Sequence, residues 1–486
     1  MLRSLSSSMN GKDILKWGPT QCSWLLLSIA SIVLFAGLGD QPLGYLDEIK
    51  TAERSRSYLI SEDYGVVQEN GQPTFHKPPL YYWITSVLLM TPLDQEFSIR
   101  LFSATGGILM LILTIQIGGE LLPQYRWSGV LAGCLLLLYG PFVEYSRVGL
   151  LDTIAASLFL GMLLCVIRSA RGQDRYWYLA AVICILGAVH KTPMALLAWL
   201  LALTYFALDP SYRKIFKNKH LWLALGISFW GTLSWPILQI VRFGPEYWEV
   251  YAAGELKQLV SRTRNIGFWT YPVWISKKWF LFAALALGGA VWLLISKRPA
   301  PYLKMIALLA LVYFLITTSL TGHSHRYLFP VLPLFAIIAT LTWFQIKSRM
   351  PAVAITLLFI NAIPCLITTY IHRGLEHENF NDQLSFAKAL KLTETQADPI
   401  YLISNDIHNA YEFLLFLRFY AGWEGETEVC SLDQYTHMKS TSTRSDLVII
   451  IKSQSARFQE AFPEAQPLDQ QAYSPTMRLF RTPALL

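Results

Sequence analysis

The chain has 486 residues, of which 53% are hydrophobic and only 15% charged, with a mean hydropathy of +0.37. Soluble domains carry about 25% charged residues. That balance excludes an ordinary water-soluble protein, and the apolar runs have the length that crosses a bilayer, roughly 17 to 25 residues. The net charge of +7 does not call for nucleic acid. In a membrane protein, excess Lys and Arg sits in cytoplasmic loops and beside anionic headgroups.

The chain opens with a Ser-rich leader carrying Arg3, Lys12 and Lys16. The apolar run that follows, about 17–38, is long for a signal-peptide core and lacks a small-x-small cleavage site, so it reads as an uncleaved first helix. Next comes a polar stretch from Tyr45 to Trp83. An acidic pair, Asp47 and Glu48, opens it. Lys50, Arg54 and Arg56 follow on a short amphipathic helix, and the ring-rich run His76, Lys77, Pro78, Pro79, Tyr81, Tyr82, Trp83 closes it. The apolar piece 78–92 is too short to span and reads as a helix lying at the interface.

Scanned with a window of about 19 residues, the chain holds about eleven spans. They fall near 17–38, 97–122, 127–145, 150–168, 176–190, 193–208, 221–241, 273–295, 304–321, 326–346 and 351–371. With a cytoplasmic N-terminus the short inner loops collect Arg126, Arg168, Arg171, Arg175, Arg213, Lys214, Lys217, Lys219, Lys297, Arg298, Lys304, Lys347 and Arg349, as the excess of cations on that side requires. Loops 39–96 and 242–272 and the C-terminal tail then lie on the outer, periplasmic or lumenal, face. Cys22, Cys134, Cys165, Cys184 and Cys365 fall in or beside apolar spans and only Cys430 in a polar region, which suits small buried hydrophobes better than a disulfide framework.

After about His372 the pattern changes. PIYLIS (399–404) and DLVIIIK (446–452) read as buried strands, and 406–420 has helical periodicity. The expected fold is thus an all-α polytopic membrane domain over 1–371, with interfacial helices in the first outer loop. A small soluble α/β domain over 372–486 follows it on the outer side.

This topology brings ionisable groups of several loops to the outer face: Asp47 and Glu48; His76 and Lys77; Arg147 and Asp152; His190 and Lys191; His323, His325 and Arg326. Charges marking helix ends are the plain alternative, but acids, bases and rings cluster here together. Transfer of a sugar from a polyprenyl-phosphate carrier needs such a set. Cations meet the charge gained by the leaving phosphate, a carboxylate takes the proton of the acceptor hydroxyl or amine, and an apolar groove holds the isoprenoid. A transporter or flippase of lipid-linked sugars is the alternative. It calls for ionisable groups near the midplane, where this sequence is nearly charge-free. A scaffold or sensor acting through its tail is a third reading, and it leaves the acid–base loop without a purpose.

The same residues resemble a family. Asp-Glu in the first outer loop, then Lys-Pro-Pro-Leu-Tyr-Tyr-Trp and Arg100 in EFSIRLFSA, look like the GT-C glycosyltransferases. The likeness is greatest to the branch of dolichyl-phosphate-mannose–protein mannosyltransferases and bacterial lipid A aminoarabinose transferases. SRVGLLDT (146–153), HKTPMALL (190–197) and HRYLFPVLP (325–333) extend it over about residues 20–345. The resemblance implies a multi-pass plasma-membrane enzyme, a polyprenyl-phosphate sugar donor, a lipid, glycan or protein acceptor, and inversion at the anomeric carbon. It further implies Asp47 as general base, with Glu48 either assisting or packing beside it, and Asp152 as a second acid. Lys50, Lys77, Arg326 and Tyr327 would hold the carrier phosphate, and His76, Tyr81, Tyr82 and Lys191 the substrate. Helix capping is the alternative for Asp47 and Asp152, and snorkelling to headgroups for Lys77. Arg264 stands where some aminoarabinose transferases carry a metal-binding His, so a zinc site does not simply carry over; a divalent metal stays open, but the ligand positions do not support it. Arg264 instead suits an anion. His76 replaces a frequent Glu, and the turn at 191–193 reads Lys-Thr-Pro where the family favours Lys-Gly-Pro.

Overall fold

A computed structural model describes residues 18–44, 46–191, 194–251, 270–296, 302–319, 325–346, 386–387, 399–404, 407–423, 427–440, 446–451, 455–468 and 477–482. In chain order its elements are α1 (Pro19–Phe35), α2 (Leu46–Ser61), strands β1 (Gln68–Glu69) and β2 (Gln72–Pro73), α3 (Leu80–Leu89), α4 (Gln95–Leu121), α5 (Ser128–Leu137), α6 (Gly140–Ser146), α7 (Asp152–Ala170), α8 (Arg175–His190) and α9 (Met194–Leu208). A 3₁₀ turn (Pro210–Lys217) leads to α10 (Lys219–Phe243), α11 (Pro245–Tyr251), α12 (Thr270–Ile295) and α13 (Leu303–Ser319). After a second 3₁₀ turn (His325–Leu328) come α14 (Leu332–Ile346), β3 (Ile400–Ile403), α15 (Ile407–Tyr420), β4 (Thr427–Cys430), α16 (Leu432–Lys439), β5 (Asp446–Ile451), α17 (Ser455–Ala461), β6 (Gln466–Pro467) and β7 (Met477–Thr482).

Contacts divide the chain into two compact units: 1–38, 75–80 and 101–369 form one; 39–74, 81–100 and 370–486 form the other. The sequence alone draws its boundary at 371/372. The structure instead joins most of the first polar loop to the C-terminal tail.

The first unit is helical and apolar. Among the described residues α4, α7 and α10 are long and apolar enough to cross a membrane, and α5 with α6 makes a fourth such segment if counted as one. Most of the other expected spans appear as shorter apolar helices, so a count of eleven is not established, and the segment 351–371 lies outside the described residues. The span expected at 127–145 is broken: α5 and α6 meet at 71°. The cause is Pro141 at the start of α6, whose ring and missing N–H cannot continue α5. Helix α3 is short, as the sequence suggests. Its ten residues reach about 15 Å, half a hydrocarbon core.

Small residues set the helix spacing. A Cβ on Gly106 of α4 would lie 2.9 Å from the backbone nitrogen of Ile154 in α7, so the two helices meet at closer than ordinary side-chain distance. Ser157 Oγ donates to the Gly106 carbonyl at 2.7 Å and the Ser103 and Thr153 hydroxyls lie 2.9 Å apart. These bonds tie the start of α7, where Asp152 stands, to α4. Helix α10 turns Trp222, Leu223, Phe229, Trp230 and Val241 outward, as lipid contact requires.

The second unit is built on a five-stranded sheet of order β4-β3-β5-β7-β6. Strand β3 pairs parallel with β4 and β5, and β7 runs antiparallel to β5 and β6. Alternation along β5 explains why it reads as a continuous apolar run. Leu447 and Ile449 pack with α2 and α15, while Val448 and Ile450 pack with Tyr435 and Phe458 on the opposite face. Strands β4, β6 and β7 were not evident in the sequence because they are short or polar. The five described cysteines are free thiols.

Candidate functional site

In the helical unit the sequence-nominated groups converge at the start of α7. Asp152 is 6% exposed. It does not cap α7: Leu151 holds the cap position, and no side chain caps that end. Its carboxylate instead accepts from Lys191 Nζ at 2.5 Å, and Arg326 Nε lies 4.0 Å from its other oxygen. Lys191 follows α8 in extended conformation, which turns its side chain back along α7. Its ammonium lies 5.8 Å from the centre of the Tyr327 ring, and the Arg326 guanidinium 5.9 Å from the same ring. Tyr313 OH donates to the Tyr327 carbonyl at 3.0 Å, fixing the short 3₁₀ turn that carries Arg326 and Tyr327. One carboxylate thus stands between two cations, beside a phenol, in a largely buried place. Two cations and a phenol are groups that suit an anion such as a phosphate.

Neighbouring groups are structural. His190 is fully buried, and its Nε2 lies 2.7 Å from the Leu151 carbonyl, a contact only an N–H can make. Arg147 donates to the carbonyls of Val33, Ala36 and Gly37 at 2.6, 2.8 and 3.3 Å. It thus satisfies the otherwise unpaired end of α1, a role its sequence position did not reveal. His76 and Lys77 lie half-buried in the turn before α3.

In the second unit Asp47 is half-buried in the first turn of α2, where the helix dipole favours a carboxylate. Glu48 beside it is fully buried. Arg100 Nε and Nη2 donate to its two oxygens at 2.8 and 3.1 Å, and the Gly44 N–H adds a third bond at 3.1 Å. Of the two roles open to Glu48, packing beside Asp47 is the one this geometry supports. Three further nominated residues have partners within this unit. Tyr81 and Tyr82, expected at substrate, are interior: Tyr81 OH donates to the Ile99 carbonyl at 3.0 Å, and Tyr82 OH accepts from Arg54 at 2.8 Å. Lys50, expected at the carrier phosphate, lies 5.8 Å over the Tyr411 ring. Tyr81 and Tyr82 are held by the loop's own residues and Lys50 by a ring of the tail, because 39–74 and 81–100 share one compact unit with the tail.

Sequence reasoning missed a second set of charges in this unit. Glu69 accepts from Arg54 and, at 2.7 Å, from Tyr411 OH; Glu53 accepts from Arg418 Nε at 3.3 Å and from the Asn70 N–H at 3.0 Å. Burial pushes the Glu53 carboxyl up to about 7, against the opposing charge of Arg418 and with help from Glu69. Nothing local in the sequence links Glu53 to a residue more than 360 positions away. Arg264 and His323 and the side chain of His325 lie outside the described residues. Among the described residues no group of three or more His, Cys, Asp or Glu could hold a metal ion.

A family model described as dolichyl-phosphate-mannose-protein mannosyltransferase matches residues 76–235. An undecaprenyl phosphate-alpha-4-amino-4-deoxy-L-arabinose arabinosyl transferase 2 of Sodalis glossinidius is 26% identical over 294 residues, 55% of this chain and 48% of the relative. A protein of the same description, without the numeral, from Shewanella sediminis is 23% identical over 316 residues, 62% of this chain and 56% of the relative. The chain thus spans about half the length of these two curated relatives. Among solved structures, ArnT from Cupriavidus metallidurans bound to undecaprenyl phosphate superposes with a TM-score of 0.73 at 15% identity, covering 94% of this chain and 97% of that one. The fold is therefore the GT-C membrane fold with a small C-terminal sheet region.

Proposed function

We propose, for a chain of the GT-C superfamily on the branch of the protein mannosyltransferases and aminoarabinose transferases, the transfer of one sugar from a polyprenyl-phosphate carrier to a lipid, glycan or protein acceptor at the outer membrane face. The observation that carries this reading is the Lys191–Asp152–Arg326 cluster with Tyr327 beside it, on a fold shared with a protein solved with undecaprenyl phosphate.

In this reading the acceptor oxygen or nitrogen attacks the anomeric carbon as the bond from that carbon to the phosphate oxygen breaks. Polyprenyl phosphate leaves with the electron pair, and the anomeric centre inverts. Asp47 takes the acceptor proton. Cations at Lys77, Lys191 and Arg326 meet the charge that the phosphate gains, which is where preorganised positive charge accelerates transfer most. Asp152 holds Lys191 and Arg326 in place rather than acting as base, because its carboxylate is already engaged by a cation. The flippase alternative gains no support from the relatives, whose names are those of transferases.

The test is Asp47→Asn in reconstituted protein given labelled polyprenyl-phosphate sugar. The expected result is retained folding and carrier binding with loss of transfer by at least about 100-fold, the lower range for a general base. Normal turnover in that variant overturns the reading.

A further inference from the structure

The second unit contains an arrangement that neither the matches nor the proposed chemistry accounts for. Helix α2, which carries Asp47, is a polar helix of 16 residues, and helices in proteins owe most of their stability to tertiary packing. Something outside it must hold its axis and rotation. Arg100 on Glu48 and Tyr82 and Glu69 on Arg54 supply part of this, and a further set of contacts comes from the C-terminal tail. Ahead of α2, the Leu43 N–H donates to Tyr420 OH at 3.0 Å. Along α2, Lys50 lies over the Tyr411 ring, Arg418 Nε donates to Glu53 at 3.3 Å, and Arg56 Nη1 donates to the Arg418 carbonyl at 2.7 Å. Beyond α2, Tyr411 OH donates to Glu69 at 2.7 Å, and the Asn70 and Thr427 side chains lie 2.5 Å apart. Between these polar ties, Ile49 and Ala52 of α2 pack with Phe413, Leu417 and Tyr420 of α15.

The residues of α2 that face α15 follow helical spacing: Ile49, Glu53 and Arg56 lie on one stripe, about half a turn to two and a half turns after Asp47 and roughly opposite it around the helix. Fixing that stripe fixes the rotation of α2 about its axis, and with it the direction of Asp47 on the other side of the helix. The groups on α15 are matched to the task. Tyr411 keeps its proton, because burial and the charge of Glu69 both push its phenol above the ordinary value. It therefore stays a donor. Arg418 is 7% exposed and spends both a side-chain donor and its carbonyl on α2.

We infer that the C-terminal domain is a positioning device for the catalytic loop: Tyr411 and Arg418 of α15 clamp α2 through Glu69 and Glu53 and set the orientation of the Asp47 carboxylate. The inference rests on the reading of Asp47 as base and deepens it. Neither residue touches substrate. Each acts through α2, and a displacement of about 1 Å at a reacting group is enough to cost up to about 100-fold in rate.

The experiment uses the full chain in lipid nanodiscs with labelled polyprenyl-phosphate sugar, comparing wild type with Tyr411→Phe, Arg418→Lys and Arg418→Ala. For each variant, kcat, the donor KM, the thermal midpoint and hydrogen–deuterium exchange over residues 46–61 are measured. The expected result is that Tyr411→Phe lowers kcat about 10-fold, with donor KM within about 2-fold and exchange over 46–61 raised. Arg418→Lys, which keeps the charge, recovers part of the kcat lost in Arg418→Ala. Wild-type kcat in Tyr411→Phe and Arg418→Lys overturns the inference. So does a kcat loss that merely tracks the fraction of protein unfolded. If Asp47→Asn turns over normally, the functional reading fails instead. The exchange data then decide the clamp alone, and unchanged protection over 46–61 in all three variants overturns it.

Discussion

Lys191 Nζ and the Asp152 carboxylate meet at 2.5 Å with side chains 14% and 6% exposed, and Arg326 approaches the same carboxylate from its other oxygen. A largely buried pair of this kind gains little net stability, but removing one partner leaves a charge stranded. Stability is a poor reason for three ionised groups to stand here, and anion binding is a better one.

Lys191→Met should therefore weaken the donor more than it weakens the fold. The expected result is a rise of at least about 10-fold in donor KM, since a charge-assisted bond contributes about 1.5 to 3 kcal/mol. Asp152→Asn frees Lys191 and Arg326 from their counter-charge. It should lower kcat while binding undecaprenyl phosphate at least as tightly as wild type. Titration with the carrier phosphate alone checks both.

Glu48 and Arg100 call for the opposite pattern. Breaking this pair by Glu48→Gln leaves a buried guanidinium, at a cost of about 3 to 5 kcal/mol. Activity should then fall with the folded fraction, without a separate effect on turnover per folded molecule. A double-mutant cycle with Arg100→Met, read by thermal unfolding in detergent, should show a coupling of at least about 1 kcal/mol.

Glu53 makes the clamp pH-dependent. Its folded value, about 7, lies above the ordinary 4.5, so the folded protein binds its proton more tightly than the unfolded chain. The stabilisation is complete below the ordinary value and is lost as pH rises through the folded one. The groups facing Glu53 are Arg418, Glu69, Arg54 and the Asn70 N–H. The thermal midpoint should fall as pH rises from about 5 to about 8, and Glu53→Gln should flatten that slope.

Gly106→Ala tests the packing that holds Asp152 in place. Alanine gains about 0.5 to 1 kcal/mol of helix propensity over glycine. The added Cβ would nevertheless lie 2.9 Å from the Ile154 backbone nitrogen, and overpacking of this sort costs about 1 to 3 kcal/mol. The clash wins, so the thermal midpoint should fall, and donor KM should rise as the start of α7 shifts.

Composition and periodicity were enough to announce a polytopic helical protein, to place most of its apolar helices within a few residues, and to find β3, α15 and β5 in the tail. Those features depend on residues close in sequence, where the solvent each face meets is written in the local pattern. The expected topology gathered Asp47, Asp152, Lys191 and Arg326 at one face, and the family resemblance, not local pattern, nominated their roles and added Tyr327. The partner each charge takes was not written there. Whether Asp152 caps its own helix or receives Lys191, and whether Tyr82 meets a sugar or Arg54, was decided by helices that meet only after folding. The same holds for the joining of the first loop to a tail more than 300 residues away. Burial strengthens a polar contact and penalises an unpaired one, and only the tertiary structure says which groups are buried together.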